Sequence, residues 1–235
     1  MKKNSLIFAF GFALMALFAC DDGDIQERVY ADNNNGCIIK LTGKISGVKG
    51  WSGNYSVVLA GFGDSDYSIV QKNIPVSDNG DVELTLSVTS NDIKTIELCV
   101  TNVLRERIYT FKKMDISEGK DSIFFDAGEV DAGMYRCLQD EIFTTTCVQC
   151  HGGSNTPAAG LYLTADRSYA ALVGQPSMRV EGGTLVIPGD SKSSVLHKVI
   201  NSGYETGLRF NHENMVASAQ KLKLIDEWID NGAGN

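Results

Sequence analysis

The chain has only three histidines in 235 residues, and it is short of positive charge: 21 Lys and Arg face 29 Asp and Glu, for a formal net charge of −8. An acidic chain is repelled by a phosphate backbone, so nucleic acid is excluded as a partner. No tight His-x(3–5)-His pair occurs, which counts against a zinc-finger type of site. No βαβ alternation surrounds its Cys-x-x-Cys pair, as a thioredoxin-like redox motif would require. No nucleophile and base stand together in a catalytic pattern. Long apolar runs are missing too: the stretch from Leu6 to Phe18 is too short to cross a bilayer with margin.

That stretch has a different use. Lys2 and Lys3 precede it, it closes on Leu17-Phe18-Ala19-Cys20, and Asp21, Asp22 and Asp24 follow instead of a basic stop-transfer flank. This is the order of an export signal over residues 1–19. The Leu-Phe-Ala-Cys ending resembles the lipobox of bacterial lipoproteins, which implies cleavage before Cys20 and acylation of that residue. The alternative is an ordinary signal peptide that leaves Cys20 as a free thiol. Several acyl chains on one cysteine anchor a protein stably without a span. Removing Lys2 and Lys3 takes the charge to −10, so lipid rather than electrostatics is expected to hold the chain at its membrane. The acidic run also resembles the surface-export signal of Bacteroidetes lipoproteins, although an aspartate beside a lipidated cysteine can mark inner-membrane retention in other bacteria. The expected location is the cell envelope, at the outer membrane, on its periplasmic face or the cell surface.

Residues 20–36 carry almost no apolar side chains and read as a flexible tether. Over residues 37–132, short runs rich in Val, Ile, Thr, Tyr and Phe alternate with Gly, Asn, Asp and Ser clusters. About seven strands at this spacing predict an all-β sandwich of immunoglobulin-like or transthyretin-like size. Trp51, Tyr55 and Tyr67 could form a binding platform, but core aromatics are the more usual explanation. Over residues 133–235 the pattern changes. Met134, Leu138, Ile142 and Phe143 recur at helical spacing, further short helices are predicted around 166–173 and up to Ile200, and a last helix runs from Ser218 to Asn231. The reading is an all-α C-terminal domain.

The first of these helices leads into Cys147-Val148-Gln149-Cys150-His151. Two thiols separated by two residues can each add to one vinyl group of a porphyrin, and the adjoining histidine then stands under the iron. The pattern predicts one covalent haem c, with Cys147 and Cys150 as thioether links and His151 as the proximal iron ligand. Two alternatives remain: a zinc site adding His197 or His212 to the two cysteines, and a simple Cys147–Cys150 disulfide. Of the other cysteines, Cys37 and Cys99 lie in the predicted sandwich and could bridge it, while Cys137 lies on the helix ahead of the motif and reads as a buried thiol; the spacing leaves the pairing open.

The order Cys147-Val-Gln-Cys-His-Gly-Gly153, Ala159-Gly-Leu-Tyr-Leu163, Tyr169-Ala-Ala-Leu-Val173, Val186-Ile-Pro-Gly-Asp190, Ser194-Val-Leu196 and Trp228-Ile-Asp-Asn-Gly-Ala233 resembles the small class I-like cytochrome c domains of planctomycete-type and Bacteroidetes lipoproteins. The resemblance implies a monohaem, cytochrome c-like helical domain. It departs at the distal ligand. The family usually has a Gly-x-Arg-Met-Pro loop, whereas Gly207-Leu208-Arg209 is followed here by Phe210 and Asn211. Met215 and His212 are the nearby distal candidates, Met178 is a remote one, and an open site is the third outcome. The expected function is single-electron transfer to and from a redox partner protein in the envelope, by an electron carrier rather than an enzyme. The alternatives are a surface module binding a glycan or protein with an accessory haem domain, and, if the distal site is open, a small-ligand sensor or peroxidase.

Overall fold

The computed structural model describes residues 36–116, 121–153, 155–201 and 208–235. The expected signal peptide, the lipidated Cys20 and the tether up to Asn35 lie outside the described residues. Asn35–Asn235 form one compact unit.

The polar–apolar alternation of Asp81-Val82-Glu83-Leu84-Thr85-Leu86-Ser87-Val88 becomes strand β4 (Asp81–Val88), with every second residue buried. It pairs antiparallel with β1 (Cys37–Ser46), and on its other side β1 pairs in parallel with β7 (Ser122–Asp131). Strands β2 (Tyr55–Phe62) and β5 (Thr95–Asn102) are buried on both faces and read as nearly continuous apolar runs. Edged by β3 (Val70–Asn73) and β6 (Arg107–Asp115), they form a second, antiparallel sheet in the order β3-β2-β5-β6. Ile39 and Leu41 of one sheet meet Leu59, Ile96 and Leu98 of the other in the core.

The outer face of β5 buries a charge. Glu97 is fully buried and accepts hydrogen bonds from Arg107 Nη1 at 2.6 Å, Thr110 Oγ1 at 2.6 Å and Thr95 Oγ1 at 3.0 Å. The Arg107 guanidinium also bonds Asp66 and lies 4.7 Å from the centre of the Phe62 ring.

The chain is helical from Met134 to His151 in three pieces: α1 (Met134–Leu138), a π-helical stretch Gln139–Cys147, and α2 (Val148–His151). Met134, Leu138, Ile142 and Phe143 are all buried, as their spacing requires. Thr145 Oγ1 donates back to the carbonyls of Glu141 and Ile142, a competition with the backbone ladder that suits the widened turns. Among the described residues three α-helices follow: α3 (Ser168–Leu172), α4 (Val195–Asn201) and α5 (Ala219–Asp230). Ser218 caps α5 by accepting from Lys221 N. Among the described residues no helix is long and apolar enough to cross a membrane.

The expected fold class, an all-β sandwich followed by an all-α C-terminal domain, is overturned. The described chain is mixed α/β, 25% helical, with seven strands in two sheets. Strands and helices share a continuous core that runs from Cys37 to Ala233. Trp51 is buried at the junction and donates Nε1 to the carbonyl of Ala132 at 2.6 Å. Gly47 and Gly133 pass so closely that a Cβ on Gly47 would lie 2.3 Å from the Gly133 nitrogen. Tyr55 meets Trp51 edge to face, while Tyr67 is exposed, so these aromatics form no shared platform. Helical spacing reports which face of a segment is buried but not against what. Between His151 and Val195 the chain runs largely in turns, a 3-10 turn at Ala158–Gly160, and the isolated bridges Val173–Val186, Pro176–Thr184 and Ile187–Asp190.

Candidate functional site

Cys147 closes the π-helical stretch, and Cys150 and His151 lie on α2. The three-residue separation of the cysteines puts both thiols on one side of a helical turn. Both are free, Cys147 half-buried and Cys150 exposed. The helix stops directly after His151 because Gly152 turns the chain, and a Cβ on Gly152 would fall 2.2 Å from the Val148 carbonyl oxygen. The freed carbonyl of His151 accepts from Leu163 N at 2.6 Å.

The His151 ring is fixed by its Nδ1, which lies 2.9 Å from the Ala158 carbonyl on the Ala158–Gly160 turn. A carbonyl can only accept, so Nδ1 carries the proton and Nε2 is left as a free lone pair. This is the tautomer in which an imidazole ligates a metal. Burial lowers the His151 pKa, the Ala158 hydrogen bond opposes that shift, and the neighbouring His212 adds to it.

A buried relay stiffens this arrangement from behind. Tyr135 donates to Ser168 Oγ, Ser168 donates to Gln139 Oε1, and Gln139 Nε2 donates to the Leu163 carbonyl at 3.1 Å. The relay ties the helix that carries the cysteines to the segment that holds His151. Tyr135 also packs against Trp228, with ring centroids 5.1 Å apart, and against Tyr169 at the same distance, so α5 closes over the same helix.

His212 stands opposite His151. Their ring centroids are 6.1 Å apart and their planes are 24° from parallel. The loop that presents His212 is built locally: Asn211 Oδ1 accepts from Glu213 N at 2.8 Å, the His212 carbonyl accepts from Met215 N at 3.1 Å, and Asn214 takes the left-handed conformation (φ 68) that asparagine tolerates. Phe210 sets its edge against the His212 ring at 5.3 Å. Met215 is 39% exposed and Met178 is 78% exposed, the latter against Gly160. His197 lies apart from this group, with Nδ1 2.6 Å from Asp226 Oδ1, an ion-pair geometry between α4 and α5.

The geometry bears on the two alternatives for the cysteines. Among the described residues no group of three or more His, Cys, Asp or Glu side chains is placed to hold a metal ion. A zinc ion bound by protein alone asks for such a group, whereas a porphyrin iron asks the chain for two ligands at most. The Cys147 thiol is pushed up to about 11, by burial first and by the charge of Cys150 second. A thioredoxin-like attacking thiol needs the opposite shift. Cys37, Cys99 and Cys137 are buried and free; Cys37 packs between the sheets, and Cys99 lies with Val58, Ala60 and Phe62 in a separate cluster.

The residues present therefore fit a covalent haem: two free thiols on one turn, a histidine locked in the ligating tautomer, and facing it a second imidazole whose Nδ1 is buried without a hydrogen-bond partner among the described residues. Sequence reasoning missed the Ala158 carbonyl, the Gln139–Ser168 relay and Phe210. A backbone carbonyl leaves no mark in the sequence, and the relay joins residues far apart along it. Phe210, an aromatic two positions before a loop histidine, could have been read. No protein-family model matches the chain, and a search of curated proteins finds no match.

Proposed function

We propose that this chain is a lipid-anchored c-type cytochrome that holds one covalent haem and passes single electrons in the cell envelope. The observation that carries the reading is the turn Cys147–His151, where two free thiols precede a histidine held by Ala158 with its second nitrogen available. Haem c bound there supplies a one-electron iron couple, whose potential depends on axial ligands, burial and nearby hydrogen bonds. Cys147 and Cys150 hold the porphyrin through two thioethers, and His151 holds the iron. Ala158 holds the His151 ring, Gly152 and Leu163 set its backbone, and the Tyr135–Ser168–Gln139 relay ties down the supporting helix. A site whose side chains are held by such bonds is suited to gaining and losing an electron with little reorganisation.

The export signal and Cys20 would place this centre at the envelope, held by lipid, where a redox partner protein exchanges electrons with it. The resemblance to cytochrome c domains of bacterial lipoproteins supports the reading through the order of its motifs. The test is expression in a host able to attach c-type haem. Haem should remain with the chain on a denaturing gel and should be lost in the Cys147→Ala, Cys150→Ala double variant. A wild-type chain without bound haem after such maturation discards the proposal.

A further inference from the structure

We infer that His212, and not Met215, is the second axial ligand, so that the centre is bis-histidine and six-coordinate; the inference rests on the haem reading above. Two imidazoles bound on opposite sides of one metal at ~2.0 Å each, with ~1.1 Å from nitrogen to ring centre, put their centroids ~6 Å apart. The His151 and His212 centroids are 6.1 Å apart. The His212 ring is held in this position by its neighbours, since Asn211 and Asn214 shape its loop and Phe210 supports its face. Its Nδ1 is buried and has no hydrogen-bond partner among the described residues, whereas buried ring nitrogens are otherwise hydrogen-bonded within a protein. A ring placed to serve something other than the protein resolves that exception. Met215 is partly exposed, and its backbone nitrogen turns back onto the carbonyl of His212.

The consequence is functional. Two histidines give the iron a lower potential than a His/Met pair and leave no position for oxygen, peroxide or carbon monoxide. The centre then carries electrons and does not activate small ligands.

The experiment uses the full chain matured with haem, as wild type, His212→Ala, His212→Met and Met215→Ala, read by visible and electron paramagnetic resonance spectroscopy. Wild type should be low-spin, unchanged by carbon monoxide, and without a thioether-to-iron absorption band. Imidazole planes only 24° from parallel should give a rhombic spectrum with three resolved g values. Met215→Ala should match wild type. His212→Ala should become high-spin, bind carbon monoxide and return to low-spin when free imidazole is added, a rescue that a merely structural role would not produce. If His212→Ala accumulates poorly, His212→Met should stay six-coordinate and acquire the thioether band. A haem-loaded chain in which Met215→Ala goes high-spin and His212→Ala stays low-spin overturns the ligand assignment alone. Absence of covalent haem in wild type overturns the haem reading and this inference together.

Discussion

Ser168 is fully buried and sits between two other buried groups, accepting from the Tyr135 hydroxyl and donating to Gln139 Oε1, with both contacts at 2.5 Å. Ser168→Ala would leave a buried donor on Tyr135 and a buried acceptor on Gln139 without partners. Each orphaned group costs about 1–3 kcal/mol. The variant should unfold at a clearly lower urea concentration than wild type. Tyr135→Phe in the same background should recover part of the loss, because it removes one of the two orphans. A Ser168→Ala chain as stable as wild type would show that the relay holds nothing.

Gly152 is required by contact. A Cβ at this position meets the Val148 carbonyl oxygen at 2.2 Å, and neither is at the end of a flexible side chain. Overpacking of side chains costs about 1–3 kcal/mol, and a clash with backbone should reach at least the upper end. Gly152→Ala should therefore be strongly destabilised and should lose covalent haem, read by thermal unfolding and by haem retention on a denaturing gel. Gly153→Ala is the control, because a Cβ there meets nothing within 4 Å. Equal behaviour of the two variants would contradict the tight turn after His151.

The Cys147 thiol gives a pH dependence with a definite sign. Its folded pKa is raised from 9.0 to about 11, so the folded chain keeps this proton longer than the unfolded chain does. The stability tied to the protonated thiol is complete below about 9 and is lost as pH rises towards about 11. In protein made without haem attachment, wild type should lose stability more steeply across that window than Cys147→Ser, in which the titration is gone. Other groups titrating there are common to both chains and cancel in the comparison. Coincident slopes would mean that Cys147 is not held in the half-buried site.

On the outer face of β5, the Glu97 side chain is 1% exposed and depends on Arg107, whose own side chain is 30% exposed. Losing one partner of a buried pair leaves a charge uncompensated, typically at 3–5 kcal/mol. Two threonine hydroxyls stay on the carboxylate, so Arg107→Met should fall at or below the lower end of that range. The Arg107→Met, Glu97→Gln double variant should lose less than Arg107→Met alone, since the orphaned charge disappears with its partner. Chemical denaturation of the two chains decides it, and equal losses would place the cost in packing against Phe62.

Local pattern carried much of the chain into view before the fold was known. The alternation at Asp81–Val88 marks its strand to the residue, and Met134, Leu138, Ile142 and Phe143 mark a buried helical face. The Cys147-x-x-Cys150-His151 spacing raises covalent haem from the sequence alone, and the structure adds that both thiols are free and that the His151 ring is held by the Ala158 carbonyl. His212 and Met215 are three residues apart on one loop, so the sequence could not separate them, whereas the structure sets the His212 ring 6.1 Å from that of His151. What the sequence hid most completely was the shared core. Trp51 reads as a sandwich aromatic, and nothing in its neighbours announces a hydrogen bond to Ala132 where strands give way to helices.

That shared core predicts how the chain unfolds. Separate sandwich and helical domains would melt in two steps, each with its own core. Here Trp51 Nε1 bonds Ala132, Tyr109 bonds Asp140 at 2.7 Å, and Asn231 Nδ2 bonds the Gly50 carbonyl at 3.1 Å, so opening either half exposes groups of the other. Residues 35–235 should unfold in one cooperative transition, with far-UV and near-UV circular dichroism coinciding and the calorimetric enthalpy equal to the van't Hoff value. Trp51→Phe keeps most of the apolar surface but loses the buried hydrogen bond, and it should lower the stability by about 1–3 kcal/mol without splitting the transition. The measurement is made on the chain without bound haem, so that ligand stabilisation does not enter the comparison of the two enthalpies. Two resolved transitions in the haem-free chain would return strands and helices to independent cores and would remove the physical ground for treating them as one unit.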